Sequence, residues 1–160
     1  AMIMRLRPRP VRHVEFLTSH VVTNKDGPST LFLDIRNEKK NFWGSSIYEN
    51  HVDVRRRKNF ANVTGITLTT LLRRVALPNG IVFIKMDVEG AEYTVLEEAL
   101  ESNIFCELVK DKKVQILLFA ELHNHGTIGS YDPIQHWIDI KGEERIKNCG
   151  VNYTSGDPGR

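Results

Sequence analysis

The sequence predicts an α/β fold with a mostly parallel sheet. Two apolar runs, 81–86 and 114–120, each end abruptly in a carboxylate, Asp87 and Glu121. Stretches with helical periodicity flank them, so helix 68–76, strand 81–86, helix 91–101 and strand 114–121 alternate. An αβαβ order of this kind defaults to right-handed crossovers between parallel strands. Near the N-terminus, two β-branched and aromatic runs around a turn signal add a hairpin.

Taken in order, residues 1–13 read as a basic tail carrying Arg5, Arg7, Arg9 and Arg12. Residues 14–22 (VEFLTSHVV) and 29–35 (STLFLDI) read as strands joined by Asn24-Lys25-Asp26-Gly27-Pro28, a strong turn sequence. Residues 36–46 are polar and end in a loop, Phe42-Trp43-Gly44-Ser45-Ser46, and a weaker strand follows at 60–66. Leu68, Leu71, Leu72 and Val75 mark one face of a short helix, with Thr67 as its N-cap. Pro78-Asn79-Gly80 stops it. The run from Ile81 to Met86 reads as a strand covered on both faces. Val95, Leu96, Ala99 and Leu100 form the packing face of the next helix. Asp132-Pro133 reads as an N-cap and first helical residue. The helix that follows buries Ile134, Trp137 and Ile138 and stops at Gly150. Residues 151–160 read as a tail, which leaves 14–150 as one domain.

Composition agrees with a single domain. The chain has 160 residues, 41% hydrophobic and 26% charged, and no apolar stretch of membrane-spanning length. A net charge of +2 is too small to argue for nucleic acid. The Arg55-Arg56-Arg57-Lys58 run therefore reads as a solvated loop, although an RNA-binding role would predict steep salt dependence. The basic N-terminus does not resemble a signal peptide, which favours a cytoplasmic location. Cys106 and Cys149 lack metal-type spacing; they could form a disulfide, but two buried free thiols are the preferred reading. Asn62-Val63-Thr64 and Asn152-Tyr153-Thr154 match the N-glycosylation pattern, which is short enough to arise commonly by chance, so these matches leave the compartment open.

Three segments could carry chemistry. In the first, Asp87 ends a strand, Glu89 follows, and Glu92 falls in the first helical turn. Dipole compensation and capping would account for Glu89 and Glu92. They account less well for Asp87, because a carboxylate closing an apolar run is costly to bury alone. In the second, Glu121, His123 and His125 share a face if their strand continues. Two histidines and a carboxylate could bind a divalent metal, while a polar loop is the simpler reading. Asp87 and Glu121 end neighbouring strands, so their carboxylates should converge. In the third, Gly44-Ser45-Ser46 could present backbone amides to a ligand or be a simple loop.

Together these segments resemble the FkbM family of S-adenosylmethionine-dependent methyltransferases. Lys85-Met86-Asp87-Val88-Glu89-Gly90-Ala91-Glu92 is similar to the signature K-I-D-V-E-G-A-E. Asn24-Lys25-Asp26-Gly27, Trp43-Gly44-Ser45-Ser46-Ile47, Ile66-Thr67-Leu68-Thr69-Thr70-Leu71-Leu72 and Leu118-Phe119-Ala120-Glu121-Leu122-His123 resemble flanking segments in the right order. The resemblance implies a Rossmann-like class I methyltransferase sheet, seven-stranded in the order 3-2-1-4-5-7-6, with a glycine-rich turn holding the cofactor. No G-x-G turn lies upstream of Asp87. The expected sheet is therefore partial, from the third strand onward, with an apolar edge at Ile81–Met86 that invites a homodimer.

By resemblance, the chain O-methylates a small molecule or glycan. The catalytic residues would be Asp87, Glu121 and His123. Asp87, Ser45 and Ser46 would bind S-adenosylmethionine, and Glu89 and Glu92 the acceptor, with no metal. The alternatives are a non-catalytic fragment or degenerate domain that cannot bind cofactor alone, and a metal-dependent enzyme using Glu121, His123 and His125.

Overall fold

The computed structural model describes residues 17, 19–40, 44–51, 54, 59–123 and 132–156. Among them are two three-stranded sheets rather than one continuous sheet. The first comprises β1 (His20–Thr23), β2 (Gly27–Phe32) and β3 (Phe60–Thr67). The expected hairpin does not form. β3 lies between the other two, parallel to β1 and antiparallel to β2. The reason is visible at Gly65. A Cβ there would stand 2.7 Å from the Lys25 carbonyl oxygen and 2.8 Å from Thr23 Oγ1. With no side chain at 65, the Asn24–Asp26 turn carries the chain across β3 instead of folding back beside β1. The eight-residue β3, the weakest strand signal in the sequence, is thus the centre of its sheet. β1 is shorter than the 14–22 run, of which 14–16 and 18 lie outside the described residues. The polar segment after β2 contains a 3-10 helix at Ile35–Lys40.

α1 (Leu68–Val75) starts where its N-cap was expected, with Thr67 accepting from the Thr70 amide. Asp26, in the crossing turn, accepts from the Thr67 amide and the Thr70 hydroxyl, which joins the turn to the helix start. β4 (Ile81–Met86), α2 (Glu92–Glu101), α3 (Ile104–Cys106), a π-helical turn at Glu107–Asp111 and β5 (Gln115–Glu121) follow. The single helix expected after Pro133 is two. α4 (Pro133–Asp139) and α5 (Gly142–Asn148) are separated at Lys141, which sits in the left-handed region at φ 52°. Trp137 is buried as expected, whereas Ile138 is 60% exposed. Residues 152–156, read as tail, form β6 (Asn152–Gly156).

The second sheet has the order β4-β5-β6, all parallel. Its core face carries Met86, Ile116, Leu118, Ala120 and Tyr153, packed into one cluster with Leu72, Val95, Leu96, Phe105, Leu108 and Ile146. The opposite face carries Ile81, Phe83 and Lys85 from β4, then Leu117, Phe119 and Glu121 from β5, then Asn152 and Thr154 from β6. This face corrects the expectation that β4 is covered on both sides. Ile81 and Phe83 are 70% and 71% exposed. Burying a side chain of that size is worth about 1.5–3 kcal/mol, so the open face forgoes a substantial stabilisation. β4 has β5 as its partner and, among the described residues, none on its other edge.

Cys106 and Cys149 are joined in a disulfide, which overturns the reading as free thiols. The bond ties the end of α3 to the end of α5, 43 residues apart in sequence. Both packed helix ends belong to the core cluster, which brings their Cα atoms to 4.5 Å, within disulfide reach.

Candidate functional site

The site grows from the turn between β4 and α2. The strand runs out at Met86, and Glu89 and Gly90 then take positive φ values of 45° and 98°. Gly90 suits such a backbone, whereas Glu89 is strained there. Three contacts hold the turn against that strain. Ser46 Oγ donates to the Glu89 carbonyl at 2.8 Å. Glu92 reaches back to accept from the Val88 amide at 3.1 Å and the Gly90 amide at 3.0 Å. Replacing Gly90 with alanine is expected to cost about 1–3 kcal/mol through forced backbone strain. Urea unfolding would register this as a lower midpoint, and an unchanged midpoint would show the turn relaxes freely.

Glu92 is fully buried. Its third partner is His123, whose Nδ1 donates to Glu92 Oε1 at 2.8 Å. That contact fixes the imidazole and turns Nε2 toward the turn's other carboxylates. Nε2 lies 3.8 Å from Asp87 Oδ1 and 3.9 Å from Glu89 Oε2. Burial pushes the His123 pKa down. The Glu92 hydrogen bond and the charges of Glu92, Glu89 and Asp87 push it up and prevail, so the imidazole holds its proton above the usual histidine range.

Lys85 completes the group. On the open face of β4 it stands beside Phe119, one face-step from Glu121. Its Nζ is 2.9 Å from Glu121 Oε1 and 3.2 Å from Asp87 Oδ2. The hydrogen bonds to Glu121 and then Asp87 raise the lysine pKa. The expected convergence of Asp87 and Glu121 is therefore present, with a lysine ammonium bridging them. Lys85 is the first residue of the segment that resembles the family signature, but it was not among the expected site residues. Its position, two residues before Asp87, brings its ammonium to the two carboxylates.

Asp87, Glu121 and His123 each offer a metal-type donor atom, all within 4.8 Å of one another. Two carboxylate oxygens and an imidazole nitrogen suit a small divalent cation, but the Lys85 ammonium already supplies positive charge between the two carboxylates. His125, the third member of the metal reading, lies outside the described residues.

A cleft of about 290 Å³ opens beside the turn. It is lined by Asp87, Val88 and Glu89 from the turn and by His20, Val21, Val22, Leu31, Ser45 and Ile47. Ser45 and Ser46 divide their roles. Ser45 Oγ accepts from the Asp34 amide at the cleft edge, whereas Ser46 is buried beneath the turn that it supports. Trp43 lies outside the described residues. Asp87, the residue expected to be costly to bury, is the exposed acid of the turn with 31% side-chain exposure, and Glu89 and Glu92 are the buried ones.

A family model described as the methyltransferase FkbM domain matches residues 11–132. No curated protein and no solved structure matches the chain.

Proposed function

The chain belongs to the FkbM methyltransferase family, and we propose that it transfers the methyl group of S-adenosylmethionine to an oxygen of a small molecule or glycan in the cleft beside Asp87. The observation that supports this reading is the composition of the cleft. Two carboxylates, Asp87 and Glu89, line it together with Val21, Val22, Leu31 and Ile47, with His20 and Ser45 as the other polar side chains. That donor set fits a cation carried on a partly apolar molecule, since the acids attract the charge and the aliphatic side chains cover the rest. When bound, S-adenosylmethionine supplies an electrophilic methyl group on a cationic sulfur. The cleft volume lies at the lower edge of the range for small-molecule sites, about 300–1,000 Å³.

In this reading Asp87 receives the acceptor hydroxyl, because it is the exposed carboxylate on the cleft wall. Lys85, itself held by Glu121, keeps its other oxygen in place. His123 Nε2 stands behind Asp87 and takes up the proton that the acceptor releases. Glu89 lines the acceptor side, and Glu92 orders the turn and orients His123. Most of the rate enhancement comes from holding the acceptor in line with the methyl group.

The test is calorimetric titration of the chain with S-adenosylmethionine and with its demethylated product. Saturable binding is expected, weakened at least about tenfold in Asp87→Asn, which loses one charged contact worth about 1.5–3 kcal/mol. If the wild-type chain does not bind, family membership stands and activity is denied to this chain, as a degenerate or incomplete domain would require.

A further inference from the structure

The open face of the second sheet carries the Asn152-Tyr153-Thr154 motif in a definite arrangement. Asn152 stands in ladder register with Leu117, and Leu117 with Phe83, so the three form one row across the face. Thr154, Phe119 and Lys85 form the next row. Asn152 and Thr154 are both exposed, while Tyr153 between them is buried in the core. Both groups that an N-glycosylation motif requires, the asparagine amide and the hydroxyl two residues on, therefore face outward on a strand that is at the sheet's edge among the described residues. An independent observation bears on the compartment. Cys106 and Cys149 are joined, and disulfides persist in oxidising compartments and are rare in the cytosol. N-glycans are added in such a compartment.

From these two observations we infer that Asn152 is an N-glycan acceptor and that its glycan lies over the open face of the second sheet. In the linking step, the Asn152 amide nitrogen attacks the anomeric carbon of a lipid-pyrophosphate-linked oligosaccharide. A carbon–nitrogen bond forms, the anomeric carbon–oxygen bond breaks, the lipid pyrophosphate leaves with the electron pair, and the amide gives up one proton. The sugar begins one strand away from Leu117 and two from Phe83. It covers apolar surface that would otherwise invite association, and it does so without occupying the cleft, which opens beside the first sheet. This assignment replaces the cytoplasmic expectation with a lumenal or extracellular one. It does not depend on methyl transfer.

The experiment expresses the chain into the secretory pathway of cultured eukaryotic cells and compares its gel mobility before and after enzymatic removal of N-glycans. The Asn62 motif, on β3, is also exposed, so Asn62→Gln is run alongside to identify any step that belongs there. Wild type is expected to migrate more slowly than Asn152→Gln by one glycan before treatment and together with it afterwards. Thr154→Ser should retain the glycan and Thr154→Ala should lose it. If a variant is poorly secreted, wild type is read by peptide mass spectrometry for conversion of Asn152 to aspartate on deglycosylation. Equal mobility of wild type and Asn152→Gln before treatment, or an unconverted Asn152 in secreted wild type, overturns the inference.

Discussion

Replacing Glu92 with alanine should cost about 3–5 kcal/mol of folding stability, the loss expected when one partner of a buried, paired charge is removed. Three groups depend on this one carboxylate. The Val88 and Gly90 amides donate to it, and so does His123 Nδ1. The turn is already strained at Glu89, so losing the two amide bonds removes contacts that hold it against that strain. A loss of that size is a large share of the 5–15 kcal/mol that holds a typical domain together. Glu92→Gln separates charge from shape. Glutamine offers one acceptor oxygen where two are used, and its amide NH2 faces a donor, so it recovers only part of the loss. Equilibrium unfolding of the three proteins should rank wild type above Glu92→Gln above Glu92→Ala. Equal stabilities would mean that the turn is held from elsewhere. Disruption should reach the cleft too, because Asp87 and Glu89 stand on the same turn.

The legible and illegible parts of this chain divide along a physical line. The elements from Thr67 to Glu101 were readable because each rests on contacts close in sequence. Thr67 caps its own helix, the 81–86 run has a strand's length, and Val95, Leu96, Ala99 and Leu100 mark one helical face. What could not be read depends on contacts distant in sequence. The crossing of β3 between β1 and β2 turns on Gly65 meeting Lys25 and Thr23. The inclusion of 152–156 in the second sheet depends on pairing with β5, and the disulfide on helix ends 43 residues apart.

The same line runs through the site. Asp87 and Glu121 were identifiable as strand-ending acids on neighbouring strands. The motif placed Glu92 near the turn, but its burial and its grip on His123 arise only when β5 and α2 pack together. Lys85 looked like an ordinary strand residue until Glu121 came alongside. The open face was misread for a related reason. Ile81 and Phe83 are apolar in a run that suits a buried strand, and a run of that kind does not say which face lacks a cover. Asn152 on the same face gives that surface a chemical character that periodicity alone did not supply.

Replacing His123 with alanine should lower the methyl-transfer rate by about a hundredfold or more, the usual contribution of a positioned acid–base group. The pH dependence tests the assignment more sharply than the loss itself. His123 has a folded-state pKa above its ordinary value, so the proton it binds favours the folded state. That contribution is fully present below the unfolded pKa, about 6.5, and is lost as pH rises through the raised folded value. Stability should therefore fall over that window. The proposed reaction needs the opposite state, since only the neutral imidazole can accept a proton from Asp87. Activity should therefore rise over the window in which stability declines. In Glu92→Gln the hydrogen bond and charge that raise the pKa are weakened, so both transitions should move to lower pH together. In His123→Ala both should vanish. A rate that rises with pH equally in wild type and His123→Ala would assign the proton to another group, and Glu121, 2.9 Å from the Lys85 ammonium, would be the next carboxylate to replace.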